Sequence, residues 1–298
     1  MQIIPPISIT ATNLIASNIV ENDHADWSIG TTYALGANVI YDHKRYESLT
    51  AGESGNQPDI TPLKWLVLGA TNRFRAFDKT LNDQAERADV ITYEIDHGGL
   101  AVNSVALFNL DAASVRIQVN DDNDGLVYDK TFPLIDNTDI TNWSDYFFAP
   151  VGVTAKELVA TDLPGYGTAE TTVTITKTGS TAKVGQVILG RYNDLGVSVF
   201  GASISIEDYS RKERDAFGNA IIVERAFSQV VDYDVKITTS DARRVQGRLA
   251  EYRTTPIVWI GTPDQSYGTL IYGFYRRFDI TLSSPTLSDA SIEVEGLT

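Results

Sequence analysis

The residues with the most obvious chemistry in this chain are its carboxylates. Asp and Glu number 39 against 24 Lys and Arg. A glycosidase needs only two carboxyl groups about 5 to 10 Å apart, so an acid-rich chain invites that test first. Glu207-Asp208 is the obvious pair. Neighbouring residues of a strand point to opposite faces, however, and these two share a site only across a bulge. Asn120-Asp121-Asp122-Asn123-Asp124-Gly125 has the look of a calcium loop. With Asn120, Asp122 and Asp124 at loop positions one, three and five, the twelfth position falls on Thr131, where a bidentate Glu is required. Apolar alternation on both sides, Val115–Val119 and Leu126–Phe132, reads instead as a β-hairpin turned by Asn, Asp and Gly.

Other chemistries are removed by composition. The chain has no Cys, which excludes a disulfide scaffold, a zinc ribbon, an iron–sulfur cluster and a thiol nucleophile. Its three His (His24, His43, His97) stand too far apart for a local metal motif. No glycine-rich phosphate loop, G-x-S-x-G elbow or H-E-x-x-H helix is present. The expectation is a protein that is not an enzyme, with no catalytic residues, no metal site and no cofactor. A formal charge of −15 argues against gripping a duplex or docking on an anionic bilayer, both of which need clustered Lys and Arg. No secretory signal is visible at the start. No run approaches the roughly 20 apolar residues that cross a membrane, so no membrane insertion is expected.

Aromatic residues concentrate early. Trp27, Gly30, Thr31, Tyr33, Gly36, Val39, Tyr41, Tyr46, Pro58 and Trp65 form one constellation, and a module this small needs large rings to build any core. The pattern W-x-x-G-T-x-Y-x-x-G-x-x-V-x-Y-x-x-x-x-Y with a late Trp resembles the small chitin- and cellulose-binding modules of carbohydrate-binding families five and twelve. That resemblance implies a miniature three-stranded fold held by most of these rings, with sugar contact falling to extra aromatics in the loop after the last Tyr. Here that loop, Ser48–Gly55, has no Trp or Tyr. Two readings follow: the rings are core and the module is an adaptor, or Tyr33, Tyr41 and Trp65 stack on cell-surface glycan.

The elements that carry these residues are mostly strands. Val115–Val119, Thr172–Thr176 and Ser203–Ile206 alternate apolar and polar residues with the period of a half-buried strand. One helix is predicted from about Asp241 to Tyr252, with Ala242, Val245, Leu249 and Tyr252 on one face and Ser240 or Asp241 as cap. The fold class is mainly β, in four parts. Residues 1–22 form an arm (extended or weakly helical), 23–68 the aromatic three-stranded module, 69–199 a jelly-roll-like β-sandwich, and 200–298 a β-sandwich or split barrel with the helix. The middle part is predicted to include a strand over Tyr146–Pro150. Its Val184–Gly190 run resembles the last strands of galactose-binding-like domains.

The last part carries the most specific resemblance. Asp208-Tyr209-Ser210-Arg211-Lys212, Asp215-x-Phe217-Gly218-Asn219, Tyr272–Phe278 and Ile292–Leu297 together resemble tail-tip and baseplate proteins of long-tailed bacteriophages and prophages. The strand–helix–strand order is similar to the tail-tube fold of tube and distal tail proteins. The resemblance implies a virion protein assembled in the host cytoplasm, a homo-oligomeric ring of six-fold symmetry, and contacts with other tail and baseplate proteins. DNA would touch it only by passing through the lumen. Arg211, Lys212 and Arg214 are the candidate assembly residues: they are either a solvated loop or part of a hairpin lying across the neighbouring subunit. The alternative function is a carbohydrate-binding adhesion module.

Overall fold

Alternating and continuous apolar strands take different places in this molecule. The computed structural model describes residues 1–52, 54–134, 142–148, 155–214, 217–262 and 267–297. Ser114–Asp121 and Ala169–Val184 alternate, burying Ile117, Val119, Val173 and Ile175 and turning polar residues outward. With Gly125–Pro133, Ala85–Asp96 and Leu14–Ser17 they form a five-stranded antiparallel sheet. Ser104–Phe108 and Gln186–Gly190, by contrast, are buried at every position. A strand apolar on both sides needs a layer on each. These two, with Glu157–Ala160, make a three-stranded sheet that has both.

One face of that sheet packs on the five-stranded sheet, where Val105, Leu107, Val187 and Leu189 share a core with Ile91, Tyr93, Ile117 and Val173. The other face presents Ala106, Phe108 and Ile188 to Ile4, Val258, Ile260, Leu270 and Tyr272 of the last sheet. The rings of Phe108 and Tyr272 stack there with centroids 5.8 Å apart. The core therefore runs without a break from the sandwich into the last part of the chain.

The last sheet is ordered Asn193–Asp194, Gln2–Ile4, Ile257–Ile260, Leu270–Thr281, Leu287–Gly296 and Phe227–Thr238, with Val197–Ser198 and Ser203–Asp208 end to end along the outer flank of Phe227–Thr238. Helix Ala242–Glu251 covers one face, burying Val245 and Leu249 against Tyr233, Trp259 and Ile292. A short 3-10 turn, Thr239–Asp241, leads into it. Asp241 makes no side-chain cap; its carboxylate accepts from Arg244 instead, at 3.2 Å.

Residues 1–22 take the extended alternative and divide between two sheets. Gln2–Ile4 is paired on both sides, with Asn193–Asp194 and Ile257–Ile260, and Leu14–Ser17 edges the sandwich. The aromatic module holds Ala25–Asp26, Asn38–Tyr41, Lys44–Ser48 and Trp65–Ala70. The last three are antiparallel, and the two-residue first strand adds in parallel. The strand expected over Tyr146–Pro150 is corrected: Trp143–Phe148 is a short helix, and 149–150 lie outside the described residues. Its aromatic residues fit a strand by type, and the helix is only 6 residues long.

Candidate functional site

In the aromatic module, Val39, Tyr46 and Trp65 are buried together, with Trp27, Tyr33 and Tyr41 packed against them. Trp65 is 5% exposed and meets Tyr33 edge-on at 5.3 Å. Trp27 and Tyr41 form a second right-angled pair at 5.4 Å. The Trp65 indole N–H donates to Asn56 O, and Tyr33 Oη accepts from Ser28 N. What the module exposes is aliphatic: Ile29, Leu35, Ile60, Leu63 and Leu66–Leu68.

The carboxylate pair and the acidic loop resolve into local structure. Glu207 ion-pairs with Arg276, whereas Asp208 accepts from Lys212 at 2.6 Å and from Ser210 N at 2.9 Å. The Lys212 ammonium holds the Asp208 carboxyl well below the usual carboxylate range. In the loop, Gly125 sits opposite Asp121 at φ +71°, closing a hairpin. Asp121 accepts from Asn123 N and Asp124 N and from Thr168 Oγ1. The His residues stay apart. His97 is buried, its Nδ1 bonded to Tyr166 O and its Nε2 to Thr171 Oγ1, and burial lowers its pKa. His43 pairs with Glu21 at 2.9 Å and lies on the Phe74 ring. Among the described residues no group of three or more His, Asp or Glu is placed to hold a metal ion.

What the fold does build is an incomplete edge. Val197–Ser198 and Ser203–Asp208 both run antiparallel to Phe227–Thr238, with Val197 opposite Lys236 and Ser203 opposite Asp232. Val199 N donates to Asp234 O, so residues 200–202 face Tyr233 alone. This is one interrupted edge strand with a bulge, which re-aims the side chains it carries. The bulge thrusts Phe200 out to 94% exposure beside Tyr267, at a ring distance of 6.4 Å. Val197, Ile204 and Ile206 are also exposed, and no described strand pairs with the outer side. Natural edges are usually blunted by Lys, Pro or a covering loop; residues 197–206 contain neither Lys nor Pro.

Beyond Asp208 the chain continues as a projecting hairpin. Arg211–Arg214 pairs with Ala220–Val223, and every residue of both strands is exposed. Its base is fastened to the sheet: Arg276 bonds Glu295 at 2.8 Å as well as Glu207, and Tyr209 Oη donates to Glu295 at 2.7 Å. Of the three candidate assembly residues, Arg211 pairs with Glu213 and Lys212 with Asp208, both at 2.6 Å. Arg214 has no ion pair among the described residues, and neither does Arg225, a residue the sequence reading passed over.

Two acidic surfaces complete the picture. On the face of the last sheet opposite the helix, the cross-strand rows read Arg277–Glu293–Asp232, Asp279–Ser291–Asp234 and Thr281–Asp289–Lys236. Carboxylates outnumber cations there, although Arg277 and Lys236 each hold one of them. On the outer face of the five-stranded sheet, Asp96 lies directly opposite Glu170, next to Glu94 and Asp122. Partial burial and then the charges of Glu94, Asp122 and Asp96 push the Glu170 carboxyl up. None of these four has an ion pair among the described residues. Their signal in the sequence was alternation, which puts Glu94 and Asp96 on one face of a strand. No protein-family model matches the chain, and no curated protein is significantly similar to it.

Proposed function

We propose that this chain is a structural component of the tail tip or baseplate of a long-tailed bacteriophage, forming part of a six-fold ring around the tail axis and connecting the tube to fibres or receptor-binding parts. The observation that carries the reading is the long apolar edge of the last sheet, extended by a hairpin with no cover of its own. An edge of this kind leaves a row of backbone N–H and C=O groups and several apolar side chains in water. Closing copies into a ring satisfies them without open-ended growth. The acidic open face agrees with a channel wall: carboxylates repel a passing duplex, whereas a Lys- and Arg-rich wall would bind its phosphates. The packed rings of the first module favour an adaptor that projects from the ring over a sugar platform.

Native mass spectrometry of the purified chain, with a particle reconstruction, tests this. The expected result is a hexamer, or a six-fold position at the tail tip. A monomer at every concentration, together with no six-fold position in a particle, would overturn it.

A further inference from the structure

We infer that the cavity along the open edge of Gln186–Gly190 binds a small carboxylic acid as its anion. Val187 N–H, Tyr272 Oη and the Lys79 ammonium hold the carboxylate, and a short apolar body lies on Ile7, Ile9 and Phe77. The site stands apart from the ring reading and does not rest on it. Three observations lead here. The first is the edge. Gln186–Gly190 is an outer strand of the three-stranded sheet. The start of the chain covers one end of it, Ile7 N donating to Leu189 O at 2.8 Å. A 3-10 turn, Arg75–Phe77, covers the other, where Gln186 Nε2 donates to Arg75 O at 3.1 Å. Between the two covers lies a cavity of about 150 Å³. Strand geometry turns the N–H and C=O of Val187 the same way as those of Leu189, into this gap. No described segment bonds them there.

The second observation is a buried hydroxyl. Tyr272 lines the cavity and is 3% exposed, yet its Oη has no hydrogen-bond partner among the described residues. Buried polar groups are almost always paired; Tyr233 of the same sheet donates to Thr269 O at 2.9 Å. Burial and then the Asp78 charge push the Tyr272 hydroxyl up, which keeps it a donor. The third is what the remaining wall offers. Lys79 lines the cavity and has no ion pair among the described residues. Asp78 lies outside the lining, and its Oδ1 accepts from Thr80 N and Gln186 Nε2. Gln186 Oε1 in turn accepts from Lys79 N at 3.3 Å. The Val187 carbonyl apart, the groups left over can all donate: an N–H, an ammonium and the hydroxyls of Ser8, Thr255 and Tyr272. Such a set matches an acceptor that carries negative charge. A cavity of about 150 Å³ takes one six-membered carbon ring.

Isothermal titration calorimetry of the full chain with benzoate at neutral pH tests the site, with benzamide as the uncharged isostere. Benzoate should bind once per chain, about tenfold or more tighter than benzamide. Tyr272→Phe and Lys79→Gln, each checked for folding by circular dichroism, should both weaken benzoate about tenfold. Lys79 is exposed, so its variant keeps the test open if Tyr272→Phe does not fold. An absence of saturable benzoate binding removes the site. Equal binding of benzoate and benzamide means that the cavity takes a ring without reading its charge, which overturns the carboxylate assignment. Benzoate affinity unchanged in the folded variants places the acid elsewhere on the chain. None of these results bears on the ring, which native mass spectrometry tests by itself.

Discussion

Glu157 shows how one side chain can set the pH response of a layered fold. It lies opposite Phe108 on the side of its strand that Val159 turns toward the junction of the two lower layers. Burial pushes its carboxyl up to about 7. The folded chain therefore holds this proton more tightly than the unfolded chain, so stability is full below about pH 4.5 and is lost as pH rises toward 7. Glu157→Gln should be more stable than the wild type at pH 8 by about 2 kcal/mol, less than the full rise to about 7 would give because the carboxyl is only partly shielded from solvent. At pH 4 the two should match. Urea titrations at both pH values check this, and equal midpoints at pH 8 would mean the carboxyl is fully solvated. His97 acts in the opposite sense: its lowered pKa removes stability as the solution is acidified. Trp65 makes a different demand, because its ring is core and its N–H is satisfied internally. Trp65→Ala should cost roughly 3–5 kcal/mol and unfold the aromatic module. Near-ultraviolet circular dichroism with a chitin or cellulose pull-down separates that outcome from loss of sugar binding on an intact fold.

At the scale of elements, the helix was the most legible part of the sequence. Its spacing put Val245 and Leu249 on one face, and both are about 1% exposed against the last sheet. Leu249→Ala should cost roughly 2–5 kcal/mol, and a loss below about 1 kcal/mol in denaturant would mean a looser fit. Alternating strands were legible for the same reason: period and burial agree when one face is wet. The Asn120–Gly125 hairpin likewise followed from turn chemistry. The two-residue strands Asn193–Asp194 and Val197–Ser198 were not legible, since they exist only because neighbouring strands offer free backbone groups. Arg211–Arg214 was left open by its charges, which fit a solvated loop as well as a hairpin; its partner Ala220–Val223 supplies the ladder that decides for the hairpin. The candidate site was half visible. Arg214 could be picked out by type, whereas the carboxylates of Asp96 and Glu170 meet only through a pairing 74 residues apart in sequence.

For the whole molecule, the distribution of charge decides what a channel could pass. If the open face of the last sheet lines the axis, Asp232 and Asp234 should point into the lumen, and lumen-facing positions should carry more Asp and Glu than Lys and Arg. A reconstruction with a mainly basic wall, or with no axial channel, would discard this. The triple substitution D232K/D234K/D279K should then retain double-stranded DNA in a salt-dependent way that the wild type does not. The position of Gln2–Ile4 has a consequence of another kind. This strand sits inside the last sheet, hydrogen-bonded to Ile257–Ile260 and to Asn193–Asp194. Gln2 thus waits for Ile260, 258 residues later in the chain, and such distant contacts close slowly. During synthesis the sandwich can collapse early while the sheet beneath it stays gapped, its apolar interior open to other nascent chains. The time spent in that state scales with translation rather than with stability, so slowing the ribosome between the sandwich and Ile257–Ile260 should increase aggregation without changing the melting temperature of the folded protein.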